Sequence, residues 1–188
     1  KGGRLFYLGA GTSGRLGVLD ASECPPTYGV SPDMVQGFIA GGDAALRRSI
    51  EGAEDDENHG IDQLRGAGFS ASDMLVGITA SGSAPYVLGA LRYARSLGSP
   101  TGAISCNKDS RTFALANYPI YLPVGPEIVT GSTRMKSGTA QKLALNMITT
   151  TAMIRLGKVY NNFMIDLMPV NAKLVERSKR LINEITGC

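Results

Sequence analysis

The sequence predicts an α/β fold, a three-layer α/β/α sandwich around a five-stranded parallel sheet. Five short runs are apolar at consecutive positions, which is typical of strands buried on both faces of a sheet. They cover residues 5–8, 35–40, 74–79, 102–105 and 119–122. Segments with helical spacing separate these runs, and strands that alternate with helices form parallel sheets with helices on both faces.

The helices are predicted from their apolar spacing and their end signals. An apolar stripe over residues 87–94 predicts a helix that ends before Gly98, and residues 137–156 predict a long helix. Residues 171–185 carry an apolar stripe with Lys and Arg opposite, which predicts an amphipathic helix. The first helix is expected to span residues 14–23, because the double proline at 25–26 should end it.

The composition indicates one globular domain. The 188 residues are 43% apolar and 19% charged, so the chain can bury a core. A formal net charge of +3 is too small to indicate a nucleic-acid partner. No apolar run reaches the roughly 20 residues that span a bilayer, and the first apolar stretch is too short for a signal-peptide core. We therefore expect neither nucleic acid nor a membrane as a partner.

The cysteines and the chain ends indicate the setting of the domain. Cys24, Cys106 and Cys188 stand at no metal-like spacing, so neither a disulfide framework nor a zinc site is supported, and a reducing cytoplasm fits best. The chain starts without Met and stops just after an amphipathic segment. We expect one domain over residues 1–188, excised from a longer protein, with residues 171–188 beginning a C-terminal helical segment.

The strand exits are the candidate sites, because ligands of parallel sheets bind where the carboxyl ends of strands lead into helices. Residues 9–14 read GAGTSG and match the dinucleotide fingerprint G-x-G-x-x-G. The acidic residue that such a site needs about 20 positions on is missing. The hydroxyls of Thr12 and Ser13, beside N–H groups at a helix start, suit a phosphomonoester instead. We favour phosphate binding over tight packing as the role of this turn.

Two further segments add hydroxyl groups. The third strand exit carries Ser81, Gly82 and Ser83 before a helix with proline in its first turn. These serines either cap that helix or share one anion with the first exit, and we favour the shared anion site. A third cluster before the long helix mixes hydroxyl and basic side chains, namely Ser132, Thr133, Arg134 and Lys136. It is either a binding loop or a capping region, and Glu127 precedes it.

Two regions hold carboxylates that suit acid–base chemistry. Glu23 lies just before the double proline, and a Glu against a rigid apolar turn is partly desolvated, which suits a general acid. Residues 51–57 hold five acidic side chains, a pattern more typical of a solvated helix start. His59 is the single histidine, so a Ser-His-Asp triad would depend on it alone. The residues alone favour a structural role over a catalytic one for each of these acids.

Together these strings resemble the N-acetylmuramic acid 6-phosphate etherase family. The resemblance covers nearly the whole chain and rests on GAGTSGR at 9–15, DASECPPT at 20–27, EGAED at 51–55, VTGSTRMK at 129–136 and GTAQK at 138–142. The family belongs to the sugar isomerase (SIS) superfamily, which binds phosphosugars on a five-stranded α/β/α sandwich. The resemblance implies a carbon–oxygen lyase that cleaves the D-lactyl ether of N-acetylmuramic acid 6-phosphate. The products are N-acetylglucosamine 6-phosphate and D-lactate, in cytoplasmic recycling of cell-wall sugars, and no metal or cofactor is needed.

The resemblance also implies roles for single residues. Glu23 matches the proton donor of the family, and Glu54 matches its second catalytic carboxylate, the base at C2. Where the family usually carries Ser-Gly-Arg-Thr-Pro, this chain has Ser83 and Ala84, so one charge-assisted phosphate contact and one hydroxyl are missing. We assign substrate and phosphate binding to Gly11, Thr12, Ser13, Ser81, Gly82, Ser83, Ser132, Thr133, Arg134 and Lys136.

Two other functions stay open. Glucokinase regulatory protein shares the superfamily fold and binds phosphosugars without catalysis, and an aldose–ketose isomerase is the third possibility. The retention of both Glu23 and Glu54 favours the lyase, because a regulator needs neither.

The spacing along the first helix favours an active site shared between two subunits. Glu23 lies roughly 13 Å along the helix from the phosphate loop, whereas a hexose phosphate spans about half of that from phosphorus to C3. A homodimer in which Glu23 of one subunit faces the loop of the other removes the difficulty, and the resemblance also implies homodimers. The alternative is a helix that ends early and lets the chain fold Glu23 back to its own loop.

Overall fold

The computed structural model describes residues 2–169 and 171–187 and has the predicted α/β/α sandwich. Its parallel strands are β1 (Leu5–Gly9), β2 (Val35–Ile39), β3 (Met74–Ile78), β4 (Thr101–Ser105) and β5 (Tyr118–Tyr121). All five strand predictions are confirmed to within one residue at each end. The strand order is β2-β1-β3-β4-β5, so the chain reverses its direction of winding between β1 and β3. Ligand sites of such sheets form at this switch point.

Helices cover both faces of the sheet. They are α1 (Gly11–Tyr28), α2 (Ala44–Arg47), α3 (Glu57–Gly66), α4 (Pro85–Ser96), α5 (Lys136–Arg155) and α6 (Ala172–Thr186). The helices predicted before Gly98, over 137–156 and over 171–185 are confirmed. A small antiparallel hairpin, β6 (Val159–Tyr160) and β7 (Phe163–Met164), was not predicted, because two-residue strands carry no periodic signal.

Successive side chains of β1 enter opposite cores. Phe6 and Leu8 belong to a buried cluster on the face covered by α3 and α4, together with Leu64. Tyr7 points the other way, into a cluster on the face covered by α1 and α5 that includes Leu145. Because the side chains of a strand alternate and both faces are covered, every position of the strand is apolar. This explains the continuous apolar runs in the sequence.

The first helix is longer than predicted at both ends. It starts at Gly11 and continues to Tyr28, so the two prolines lie inside its last turns. The prediction that the double proline ends the helix was wrong, because the fixed φ of proline is compatible with a helix. The helix continues through both prolines although their missing N–H groups deprive the Ala21 and Ser22 carbonyl oxygens of their helical donors. The helix ends at Gly29 instead, which has a φ of +63° and donates its N–H to the Pro25 carbonyl oxygen at 2.9 Å.

Two of the three cysteines lie within the described residues. Cys24 is buried, Cys106 is partly exposed, and both are free thiols. Cys188, at the end of the predicted C-terminal segment, lies outside the described residues. Of the helices in the described part of the chain, none combines the length and the apolar character that crossing a membrane requires.

Candidate active site

A cleft of about 280 Å³ opens at the carboxyl ends of β1 and β3, where the strand order reverses. Its walls come from the first turn of α1, the exit of β3, the segment before α3 and the loop before α5. The residues that line it are Ala10, Gly11, Thr12, Ser13, Glu54, Ile78, Thr79, Ala80, Ser81, Ala84 and Thr133. Residues from four separate parts of the sequence that were predicted as site residues thus share one cleft.

Two helices begin at this cleft, and neither has a side-chain cap. The N-cap residues of α1 and α4 are Ala10 and Ala84, which offer no acceptor for the first-turn N–H groups. The alternative in which Ser81 and Ser83 cap α4 is therefore wrong. The first-turn N–H groups of α1 lie at the positive end of its dipole and favour an anion. At α4, Pro85 has no N–H and the Val87 N–H donates to the Ala84 carbonyl oxygen at 3.1 Å, so this helix contributes mainly its dipole. No Lys or Arg is among the residues that line the cleft, so N–H and hydroxyl groups supply its donors.

The glycines of the first turn have different roles. A Cβ on Gly14 would lie 2.4 Å from the Gly9 carbonyl oxygen, so these two residues let α1 pack directly against β1. Gly11 has a φ of +54°, and a Cβ there would meet nothing within 4 Å. Gly11 therefore leaves bare backbone at the cleft, where a ligand can approach closely. The tight-packing explanation holds for Gly9 and Gly14, and space for a ligand exists at Gly11.

The exit of β3 is a tight turn that is rich in hydroxyl groups. The Thr79 hydroxyl oxygen accepts the Gly82 N–H at 3.2 Å, and Gly82 has a φ of +81°. The exposed Ser81 hydroxyl lines the cleft and accepts the Ser83 N–H at 3.4 Å. Gly82 and Ser83, both predicted to bind phosphate, do not line the cleft, because the turn directs the chain away from it. Thr79 was missed, although it belongs to the same exit.

The loop before α5 contributes only Thr133 of its four predicted residues to the cleft. Arg134 and Lys136 line a separate, mostly apolar groove at the start of α5. Ser132 is half-buried and does not line the cleft either. Within one chain, therefore, the basic residues of this loop do not meet the hydroxyl groups of the strand exits.

Glu127 holds this loop against the start of α5. Its two carboxylate oxygens accept the backbone N–H groups of Lys136 at 3.0 Å and Ser137 at 3.1 Å. The bond from Ser137, reinforced by the bond from Lys136, keeps the pKa of the Glu127 carboxyl below its ordinary value. The first N–H groups of α5 are thus capped, as the capping alternative expects, but the cap is the Glu127 carboxylate and not a hydroxyl of the cluster.

The acidic run at 51–57 divides into structural and cleft-facing members. Asp56 is the N-cap of α3 and accepts two first-turn N–H groups, and Glu57 forms an ion pair with Arg92. Glu54 lies on the short 3₁₀ turn Ala53–Asp55, with its side chain exposed on the cleft. Glu54 is therefore the carboxylate among the residues that line this cleft. The described residues contain no group of three or more His, Cys, Asp or Glu side chains arranged to hold a metal ion.

Glu23 does not line the cleft of its own chain. It follows Ser13 by ten residues on the unbroken helix α1, which places it roughly 15 Å along the axis at about 1.5 Å per residue. The alternative in which the chain folds Glu23 back is wrong, because α1 continues to Tyr28. The Glu23 side chain is also exposed, so the expected partial desolvation is not met within one chain. The prolines that were expected to form a rigid apolar turn around it are part of the helix.

Behind the cleft, buried polar side chains connect α1 to α5. The Ser13 hydroxyl donates to Oε1 of Gln141 at 2.9 Å. Farther along α1, Oδ1 of Asp20 accepts Nδ2–H of Asn146 at 2.7 Å and the Thr149 hydroxyl at 3.3 Å. Asp20 and Gln141 were not among the predicted site residues. The available signal was the spacing, because position 20 falls on the same helical stripe as the buried positions 13, 17 and 24.

Comparison with known proteins identifies the family and the fold. Residues 1–95 of the 188 match a family model described as the glucokinase regulatory protein N-terminal SIS domain. The chain belongs to this SIS domain family. Solved structures show the same fold at low sequence identity. The SIS domain superposes with a TM-score of 0.62 on the E. coli CFT073 protein c3406, at 15% identity over 85% of this chain and 73% of that one. It superposes on MJ1247 of Methanococcus jannaschii with a TM-score of 0.58, at 17% identity over 90% and 78% of the two chains.

The SIS domain has much closer relatives among named etherases. It is 58% identical over 188 residues to N-acetylmuramic acid 6-phosphate etherase 2 of Enterococcus faecalis. It is 62% identical over 187 residues to N-acetylmuramic acid 6-phosphate etherase of Erwinia tasmaniensis. Both alignments cover 100% of this chain, and the chain spans 64% and 61% of the length of these relatives. The predicted resemblance to the etherase family is confirmed.

Proposed function

We propose that this SIS domain forms the catalytic core of an enzyme that cleaves the D-lactyl ether of N-acetylmuramic acid 6-phosphate. The position of Glu54 carries the proposal. This residue matches the second carboxylate of the etherases, and it lies on a cleft lined by two helix starts and a set of hydroxyl groups. The names of relatives that are about 60% identical over the whole chain support the same activity.

The donors of the cleft suit the 6-phosphate of the substrate. The first turn of α1 and Ala84, the N-cap of α4, line one space together with the hydroxyl-bearing residues Thr12, Ser81 and Thr133. Oriented N–H groups at helix starts stabilise a phosphate without a lysine or arginine. The phosphate at this position holds the open-chain sugar with its C2 and C3 atoms toward Glu54.

Two carboxyl groups suffice for the reaction. After the ring opens to the aldehyde, Glu54 takes the proton at C2, which the neighbouring carbonyl group makes acidic. The C3–O bond breaks, the lactate oxygen receives a proton from Glu23, and a C2–C3 double bond forms. Water then adds across this bond, with its hydroxyl at C3 and its proton at C2. The products are N-acetylglucosamine 6-phosphate and D-lactate, and no oxidant, reductant or metal takes part in this sequence.

The proposal requires Glu23 from a second subunit. With Glu23 roughly 15 Å along α1 from Ser13, the two carboxyl groups cannot reach the same bond within one chain. A homodimer with two shared active sites solves this. An exposed apolar stripe on α5, formed by Leu143, Met147 and Ile154, supports such a dimer, because a second copy would remove it from water. We place the reaction in the cytoplasm, where the free thiols of Cys24 and Cys106 stay reduced.

Release of D-lactate from N-acetylmuramic acid 6-phosphate by the full-length protein tests the activity. We expect Glu54→Gln to lower kcat by a factor of about 100 or more, because it removes the base. Asp55→Asn is the matched control, since this exposed residue on the same turn does not line the cleft. Absence of lactate, together with tight binding of a fructose phosphate, would support the regulator instead, and interconversion of aldose and ketose phosphates would support the isomerase.

Mixing two inactive variants tests the shared site. Glu23→Gln and Glu54→Gln are refolded together, so that mixed dimers combine one intact Glu23 with one intact Glu54 at one of their two sites. A shared site restores up to a quarter of the wild-type activity, since about half of the dimers are mixed and each has one working site. Background activity after demonstrated subunit exchange would mean that both residues serve one subunit.

A further inference from the structure

A second cleft adjoins the candidate active site, and both clefts share part of their lining. The second cleft has a volume of about 220 Å³ and extends from the first turn of α1 to α2 and the segment before Glu54. Ala10, Gly11 and Glu54 line both clefts. Glu54 therefore stands at the junction between two spaces, and the proposed phosphate position occupies only one of them.

The two clefts differ in charge. Glu54 is the charged residue among those that line the first cleft, whereas the second is lined by two arginines, Arg15 and Arg48, and by Glu51 and Glu54. Arg15 is partly engaged, because its Nε–H donates to the Leu46 carbonyl oxygen at 3.1 Å and its Nη2–H to the Arg48 carbonyl oxygen at 3.5 Å. These bonds aim the guanidinium along the cleft wall and leave Nη1 without a partner among the described residues.

Arg48 is available to a ligand. Its side chain is exposed and has no hydrogen bond or ion pair with any residue in the described part of the chain. The acid on the same wall, Glu51, accepts a hydrogen bond from the Ser49 hydroxyl at 3.3 Å. Guanidinium groups bind carboxylates with two parallel hydrogen bonds, which gives this wall the chemistry of a carboxylate site.

We propose that the second cleft binds the carboxylate of the lactyl arm, with Arg48 and Arg15 as its cationic partners. This inference rests on the proposed function. The substrate has an anion at each end, a phosphate on C6 and a carboxylate on the ether substituent of C3, and the reacting C2–C3 bond lies between them. The protein has the same order: a phosphate-type cleft, then Glu54, then an arginine-lined cleft.

The proposed subsite would distinguish the ether substrate from other hexose phosphates. N-acetylglucosamine 6-phosphate, the product, has the same phosphate and N-acetyl group but no carboxylate. Arg48 therefore contributes to binding of the substrate and not of the sugar product. A charge-assisted hydrogen bond from an exposed arginine corresponds to about a tenfold change in affinity.

The test compares Arg48→Ala with Arg47→Ala in the full-length protein. Arg47 is the matched control, because it is the exposed neighbour at the end of α2 and does not line the cleft. We measure KM and kcat for N-acetylmuramic acid 6-phosphate and, by calorimetry on the Glu54→Gln background, the Kd of that substrate and of N-acetylglucosamine 6-phosphate. Arg48→Ala should raise KM and the substrate Kd about tenfold and leave the product Kd within about twofold. Arg48→Lys should restore part of the loss, since it keeps the charge.

Each outcome decides the inference. Equal values for Arg48→Ala and Arg47→Ala would overturn it, and so would equal weakening of both ligands, because the arginine cleft would then bind the phosphate. Failure of the proposed function is separate, since it appears as absence of lactate release by the wild-type protein. In that case the two Kd values still test the subsite. Tighter binding of the carboxylate-bearing sugar than of N-acetylglucosamine 6-phosphate, lost in Arg48→Ala, would support the subsite, and equal binding of the two sugars would overturn it.

Discussion

The Ser13 hydroxyl in the first turn of α1 donates to the side-chain carbonyl of Gln141 on α5, and both side chains are buried. A hydroxyl group has one proton, and here Gln141 takes it. The Ser13 hydroxyl proton is therefore not available to an anion in the cleft, and for the proposed phosphate site the backbone N–H of Ser13 is its remaining donor. The bond also joins the start of α1 to α5. Gln141, 128 residues later in the chain, therefore helps to position the helix start that faces the cleft.

Ser13→Ala should affect stability more than substrate binding. It leaves Oε1 of Gln141 buried without a donor, and Nε2 of this residue is already without a partner, so we expect a loss of about 1–2 kcal/mol in the free energy of unfolding. Adding Gln141→Leu removes both unpaired groups and should recover part of that loss. Urea unfolding of the wild type, both single variants and the double variant measures the coupling. Strictly additive changes in the free energy of unfolding would contradict a coupling between Ser13 and Gln141. The KM of the Ser13→Ala variant should change less than about twofold.

Under the proposed function, Ser81→Ala should weaken binding of the 6-phosphate. Ser81 lines the cleft, whereas Ser83, two residues on, does not. Loss of one hydroxyl contact of about 1 kcal/mol corresponds to a roughly fivefold rise in KM for N-acetylmuramic acid 6-phosphate. Ser83→Ala serves as the control and should leave KM unchanged. If the two variants behave alike, the phosphate is bound elsewhere.

The double change Ser83→Arg with Ala84→Thr should improve phosphate binding. It introduces the pair that the etherase family usually carries, and Ala84 already lines the cleft as the N-cap of α4. A Thr hydroxyl there supplies the cap that α4 lacks, and an Arg adds a positive charge beside a cleft that has none among its lining residues. We expect KM to fall by about fivefold. An unchanged KM, with thermal unfolding showing an intact fold, would mean that another residue supplies the contact.

Asp73 should make the domain sensitive to acid. Burial raises the pKa of the Asp73 carboxyl, but hydrogen bonds from Arg4 and Ser70 outweigh this and lower the pKa from 3.8 to about 2. A lowered carboxyl pKa stabilises the fold above the ordinary pKa, and this stabilisation is lost as the pH falls through the window from 3.8 to about 2. The contribution at neutral pH is about 2 kcal/mol.

Urea unfolding of Asp73→Asn at several pH values checks this prediction. The variant should be less stable than the wild type at pH 7, and the difference should shrink as the pH drops below 3.8. Asp62→Asn is the control, because its ion pair with Arg65 is exposed on the surface and contributes little. A difference between Asp73→Asn and the wild type that stays constant down to pH 2 would contradict the assigned pKa.

Local sequence features predicted the strands and the candidate groups at their exits. The inner strands β1 and β3 are continuous apolar runs because both faces of the sheet are covered there, and such a run can be read from neighbouring residues. The edge strand β5 was also located correctly, although three of its four residues are exposed and the expected burial on both faces is not met. The local sequence led to a wrong prediction for the end of α1. Proline in a helix loses an N–H donor and its ring crowds the preceding turn, but it does not always end the helix, and α1 ends at Gly29 instead. Local features also gave no reason to separate Ser81 from Ser83, since the turn at Gly82 decides which of them faces the cleft.

The fold class and the chemical groups of the site can be inferred from the amino-acid sequence, because hydrophobic period and glycine-, serine- and threonine-rich turns are properties of short segments. Which of these groups share a cleft depends on how the helices pack on the sheet. Glu54 and Thr133 line the same cleft, whereas the unbroken helix α1 places Glu23 away from it. The Ser13 hydroxyl bonds to Gln141, which is 128 residues later in the chain. Such neighbours are set by the packing of whole helices on the sheet, and no local pattern encodes that packing.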